Sequence, residues 1–302
     1  MQIDRETGRD LIGIGWMLVT GLCFVAVNGI VRGLEGALPA PQAAFIRFLF
    51  GTAFMLPVLL PVLRRGFGRQ LWAGFALRGA LHVLGVVAWF YAMSRITVAE
   101  VTAIGFLNPI MVTIGAALFL GEKLALRRMI AIAVALLGAL IVLRPGLRPL
   151  DPGHLSQICA AVGFGASYLV ASRLSRQVPA STVVAMMSLC VAIGLAPLAI
   201  AVWTPPTLVQ IGWLALVAVF ATLGHYTMTR AFAAAPLTVT QPVTFLQLIW
   251  ASLLGVLVFH EPLDIWVILG GGLMIGSITY ITWREAQKRA RLKTPPVTAT
   301  KG

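Results

Sequence analysis

Negative charge is scarce in this chain. Its ten acids stand at Asp4, Glu6, Asp10, Glu35, Glu100, Glu122, Asp151, Glu261, Asp264 and Glu285, and none falls between Glu35 and Glu100 or between Asp151 and Glu261. Charged residues make up 11% of the chain and hydrophobic ones 59%, against about 25% and about 45–50% in an ordinary soluble domain. A water-soluble fold of this length has no way to hide so much apolar surface. Cysteine is scarce as well: Cys23, Cys159 and Cys190 lie inside apolar runs without paired spacing, which excludes a disulfide framework and a thiolate metal site. Neither a glycine-rich phosphate loop nor a zinc motif is present. The HEPLD run at 260–264 begins like HExxH but carries Asp264 where the second histidine belongs. The four histidines, at 82, 154, 225 and 260, are scattered, and an enzyme site needs such groups clustered.

What the chain does have is a succession of apolar runs of membrane-crossing length. They predict ten helices near 11–31, 41–62, 71–93, 97–120, 126–143, 155–174, 181–203, 208–229, 237–259 and 264–283. The run from Leu11 to Val31 is too long for the apolar segment of a signal peptide and reads as the first span. The connections are short and leave no room for a soluble receptor domain.

The formal net charge of +13 is spread over short clusters between runs, which points to topology and not to a nucleic-acid surface. With the N-terminus inside, the even-numbered connections hold Arg64, Arg65, Arg69, Lys123, Arg127, Arg128, Arg173, Arg176 and Arg230. The tail, 284–302, holds Arg284, Lys288, Arg289, Arg291 and Lys293. The odd connections keep only Arg32, Arg95, Arg144 and Arg148. That asymmetry predicts both termini on the cytoplasmic side, in a bacterial inner membrane.

An internal repeat is also visible. An offset of 139 residues carries Phe106 onto Phe245, Glu122 onto Glu261 and Leu84-Gly85 onto Leu223-Gly224. An offset of 140 carries Pro39 and Pro57 onto Pro179 and Pro197. The expected fold is therefore all-α, ten transmembrane helices as two repeats, 11–148 and 155–283. Five spans per copy is an odd number, so the copies are expected to run in opposite orientations. The basic loop GEKLALRR after the fourth span faces HEPLDIWV, without Lys or Arg, in the second copy. Inverted halves of this kind permit alternating access to a central site.

Gly85, Pro109 and Glu122, with Gly224 and Glu261 in the second copy, resemble the repeat pattern of the EamA family of the drug/metabolite transporter superfamily over residues 11–283. The pattern departs at Leu248, where the second copy has no proline and carries Pro242 six residues earlier. The resemblance implies a ten-helix secondary transporter without cofactor or metal, for which no oligomer is required. Members carry amino acids, vitamins, cofactors and drugs, so the substrate does not follow from the family. Arg47 within FIRFLFG and Arg78 within LRG resemble a subset that includes uptake carriers for adenosylmethionine and riboflavin as well as metabolite exporters.

Polar groups inside apolar spans are the candidates for the work. Arg78, His82, Gly85 and Trp89 share one helical face. Arg78 stands about seven residues, roughly 10 Å, into its span, where it either holds a substrate carboxylate while Trp89 stacks on the substrate, or snorkels to the surface. His82 serves substrate or proton relay, or bonds a neighbouring helix. Arg47 has the same ambiguity from the other face. The second copy carries Met187 and Val217 where the first has Arg47 and Arg78, so both are specificity candidates that favour an anionic or zwitterionic substrate. Thr240, Thr244 and Gln247 form a stripe, and Gln247 repeats Asn108; these groups bind ligand or join helices. Pro109 and Pro242 free the carbonyls of Gly105 and Thr238 and are expected to act as gating kinks. Glu122 and Glu261 are expected to tie backbone donors at helix ends, and Glu100 lies too shallow for a relay. Asn28 lies on the Gly21 stripe, where a close helix contact is the competing reading. Tyr168 and Trp16 are cavity aromatics or interfacial anchors, and His225 reads as structural. The coupling ion is left open. The first choice of substrate is an exported amino acid or amino-acid-derived carboxylate, and the alternative is import of a larger metabolite such as adenosylmethionine or riboflavin.

Overall fold

The structure is a computed structural model that describes residues 2–34, 36–108, 110–111, 114–115, 126–147, 149–174, 177–234, 243 and 246–293. Its helices are α1 (Gln2–Gly33), α2 (Ala40–Phe54), α3 (Leu56–Arg65), α4 (Arg69–Met93), α5 (Val98–Gly105), α6 (Leu126–Leu143), α7 (Pro152–Leu174), α8 (Ala180–Ala201), α9 (Leu208–Ala234), α10 (Leu246–Phe259) and α11 (Ile265–Lys293). Five of them are long and apolar enough to cross a bilayer, within α1, α4, α7, α8 and α9, and the bent pair α2–α3 makes a sixth. Leucines 22, 77, 257 and 269 are more than half exposed; on a water-facing protein such a surface would drive association, and against lipid it is the solvated face.

The predicted span 41–62 is broken. α2 and α3 meet at Met55 at 76°. Pro57 has no N–H to give the carbonyl of residue 53, and its ring crowds the preceding turn. Thr52 Oγ donates to the Phe48 carbonyl at 2.8 Å, a back-bond that loosens the same turn. Pro197, the repeat partner of Pro57, lies inside α8 without breaking it.

Four pairings build the bundle: α1 on α9, α4 on α7, α2 on α8, and α6 on α11. Glycine lets three of them close. A Cβ at Gly163 would stand 2.9 Å from the Gly85 nitrogen, and one at Gly85 would stand 2.7 Å from Phe164. Gly138 and Gly270 approach until each Cβ would meet the other's carbonyl oxygen at 2.6 and 2.5 Å. On α1 and α9, Gly224 sits against Cys23 and Phe24, and the buried hydroxyls of Thr20 and Thr227 share a hydrogen bond of 2.8 Å. With few polar groups to hold helices together, close van der Waals approach over small residues is the principal attraction in lipid.

Charged side chains collect at one end of the bundle. Arg32, at the end of α1, pairs with Glu261 at 2.9 Å, and Glu261 also accepts from the Val98 amide at the start of α5 at 3.1 Å. Glu261 thus ties a backbone donor at a helix end, as expected. Glu100 closes a capping box with Thr97 on α5 and meets His154 of α7 at 3.3 Å. Arg144 pairs with Asp264. Glu122 lies outside the described residues.

Candidate substrate site

Arg47, Arg78 and His82 come together from α2 and α4, and α7 supplies the wall opposite. Arg47 lies over the Phe48 ring, 3.8 Å from its centroid. The Phe48 ring meets His82 edge-on at 5.9 Å. His82 in turn lies 4.9 Å from Phe164, and Phe164 stacks on Tyr168 at 6.4 Å. The result is a continuous aromatic surface with a guanidinium at one end and a phenol at the other. Arg47 and Tyr168 are half-buried, whereas Phe48 and His82 between them are buried.

Arg78 is 5% exposed and turns inward, toward α8. It donates to the Val183 carbonyl of α8 at 2.7 Å, while its Nε–H is buried without a hydrogen-bond partner. Ser167 donates to the Arg78 carbonyl at 3.3 Å and meets His82 Nδ1 at 3.3 Å. A hydroxyl has one proton. With that proton on the carbonyl, Ser167 accepts from the Nδ1–H of His82.

The electrostatics are one-sided. Both guanidinium groups lie within electrostatic reach of Tyr168, His82 and His225, and among the described residues no carboxylate faces them. An unpaired cation held out of water is costly. An orphaned Nε–H and two uncompensated positive charges suit a ligand that brings oxygen acceptors and negative charge.

Other candidates are placed differently. Trp89 packs edge-on against Phe90 at 5.0 Å, two helical turns beyond His82 on the same face. Gln247 lies against Gly21 of α1, and among the described residues no hydrogen bond joins it to Asn108, whose Oδ1 is buried without a hydrogen-bond partner. Asn28 donates to Thr102 at 3.4 Å, so it serves a contact between α1 and α5. Pro109, Pro242, Thr240 and Thr244 lie outside the described residues.

Two members of the group carried no clear signal in the sequence. Tyr168, read as either a cavity aromatic or an interfacial anchor, stacks on Phe164 within reach of both arginines. His225, read as structural, meets Phe24 edge-on at 5.3 Å and falls within reach of both arginines. The offset that sets Val217 against Arg78 sets Val86 against His225, so the asymmetry that singles out Arg78 singles out this histidine too. No group of three or more His, Cys, Asp or Glu forms a metal site among the described residues.

Comparison with known proteins agrees with the apolar bundle. A riboflavin transporter of Vibrio cholerae is 30% identical over 94% of this chain and 97% of its own length. An S-adenosylmethionine uptake transporter of Rickettsia bellii is 24% identical over 93% and 96%, and a pseudopaline exporter of Pseudomonas aeruginosa is 27% identical over 88% and 95%. A crystal structure at 20% identity superposes with a TM-score of 0.60 over 95% of this chain and 99% of its own, a likeness of fold alone. The model of the EamA-like transporter family matches residues 11–144 and again 151–283. With that match covering nearly the whole of a multi-pass membrane bundle, the chain belongs to the EamA-like transporter family.

Proposed function

We propose that this protein is a secondary transporter of a small metabolite bearing a carboxylate, an amino acid or an amino-acid derivative, which it exports from the cell by alternating access. The observation that carries the reading is the pair of inward arginines, Arg78 buried and Arg47 half-buried, with no facing acid among the described residues. The substrate's carboxylate takes the place of the missing counter-ion, and the Phe48–His82–Phe164–Tyr168 surface holds its less polar part.

Two inverted repeats, 11–148 and 155–283, supply the moving halves in this reading. The helix pairings support it. Exchange of the copies turns the α1–α9 pair into the α7–α4 pair, while α2–α8 and α6–α11 each map onto themselves. The charge bias of the loops supports cytoplasmic termini in an inner membrane. Thr240, Thr244, Gln247 and Asn108 then line the path from the second half and the fourth span, with Pro109 and Pro242 as hinges.

A second reading, import of a larger planar metabolite such as riboflavin, is favoured by the length of the aromatic surface and by the names of two relatives. Metabolite profiling of cells and medium, with the gene deleted and overexpressed, separates the two. A carboxylate that accumulates inside the deletion strain supports export. Loss of uptake of a planar nutrient supports import. An unchanged profile in both strains refutes both.

A further inference from the structure

We propose that α3 is a membrane-surface helix whose basic end binds the headgroup of an anionic phospholipid. α2 has 15 residues, about 22 Å of helix, which falls short of a hydrocarbon core of about 30 Å. The break of 76° at Met55 then turns α3 nearly perpendicular to α2, so its ten residues run along the membrane boundary and add little depth.

The side chains suit that position. Leu59, 2% exposed, anchors α3 in a cluster with Phe75, Leu174, Val183 and Met186. Leu56, Leu60 and Leu63 are 41%, 48% and 37% exposed and recur at i, i+4 and i+7, forming an apolar stripe away from the protein. A helix with such a stripe and a basic end lies in the interface, its leucines among the upper acyl carbons. At that end Gly66, with φ +69, ends α3, and Arg64 and Arg65 on α3 are followed within five residues by Arg69 at the start of α4. All three are exposed, none has an ion pair or hydrogen bond among the described residues, and the segment between Glu35 and Glu100 contains no acid to neutralise them. Three free guanidinium groups at headgroup depth match a phosphodiester in both charge and hydrogen-bond geometry. The equivalent stretch after α8, 202–207, is uncharged, so the feature belongs to one membrane face. Leu59 shares its cluster with Val183, whose carbonyl receives Arg78, which links the lipid-held helix to the substrate site.

The test is phosphatidylglycerol binding to the purified full chain in detergent, followed by native mass spectrometry, with phosphatidylcholine and glycerol 3-phosphate as comparison probes. The wild type is expected to retain phosphatidylglycerol in preference to phosphatidylcholine, and the Arg64→Gln/Arg65→Gln variant to bind it about tenfold to thirtyfold more weakly. Arg64→Lys/Arg65→Lys is expected to keep most of the binding. Equal retention by wild type and glutamine variant, no preference over phosphatidylcholine, or displacement by glycerol 3-phosphate overturns the proposal. If the glutamine variant does not accumulate, the wild type decides: the preference must fall as salt is raised, and a salt-independent preference counts against the arginines.

Discussion

Arg78→Met is predicted to make this protein more stable and less active at once. The Arg78 side chain is buried, one of its N–H groups donates to the Val183 carbonyl, its Nε–H lacks a partner, and no carboxylate faces it among the described residues. A hydrogen bond from a charged donor contributes about 1.5–3 kcal/mol, whereas keeping an unpaired ion out of water costs several kcal/mol. The Val183 carbonyl lies inside α8 and keeps its intrahelical partner when the arginine is gone. Methionine reaches as far as the arginine Nε and fills that part of the space with dispersion contacts. The balance favours the variant by about 1–3 kcal/mol. Reversible unfolding in mixed micelles with increasing dodecyl sulfate reads the stability, and substrate flux in vesicles carrying equal amounts of protein reads the activity. A variant that unfolds about 1 kcal/mol more easily and still transports at the wild-type rate refutes the reasoning and makes Arg78 a structural residue.

Two further outcomes concern the frame. The Glu261 carboxyl, at the charged end of the bundle, is held above its ordinary value of 4.5 because burial outweighs the help of the Val98 amide and Arg32. Between the two values the folded chain keeps a proton that the unfolded chain has released, so this group's contribution to stability is present below 4.5 and falls as pH rises through the raised value. Glu261→Gln is expected to flatten that part of the pH profile of unfolding; a variant with the wild-type slope contradicts the assignment. Gly163→Ala places a methyl 2.9 Å from the Gly85 nitrogen, a backbone neighbour that cannot swing aside. It is expected to destabilise by about 1–3 kcal/mol, and an unfolding midpoint equal to that of the wild type counts against the close α4–α7 crossing.

Much of the fold was legible because each span is an apolar run bounded by charge or proline. α4, α6, α7 and α8 begin and end within about three residues of the predicted limits. The break at Met55 was not legible. Pro57 and Pro197 look alike in sequence, and only the packing of α3 through Leu59 shows which proline ends a helix. In the site, Arg47, Arg78 and His82 announced themselves as polar residues within apolar runs. Tyr168 and His225 did not, since tyrosine is common at membrane interfaces and a histidine near a helix end has many structural uses. Their place became visible only when α7 and α9 were brought beside α2 and α4.

Recognition of a carboxylate by Arg47 and Arg78 is tested by competition in proteoliposomes. Flux of the metabolite identified by profiling is measured against an excess of the same compound and of its methyl ester. The free carboxylate is expected to compete and the ester to do so at least tenfold more weakly, the loss expected when a charge-assisted pairing worth about 1.5–3 kcal/mol is removed, and this difference is expected to shrink in Arg47→Gln and Arg78→Gln. Equal competition by acid and ester in the wild type contradicts that recognition.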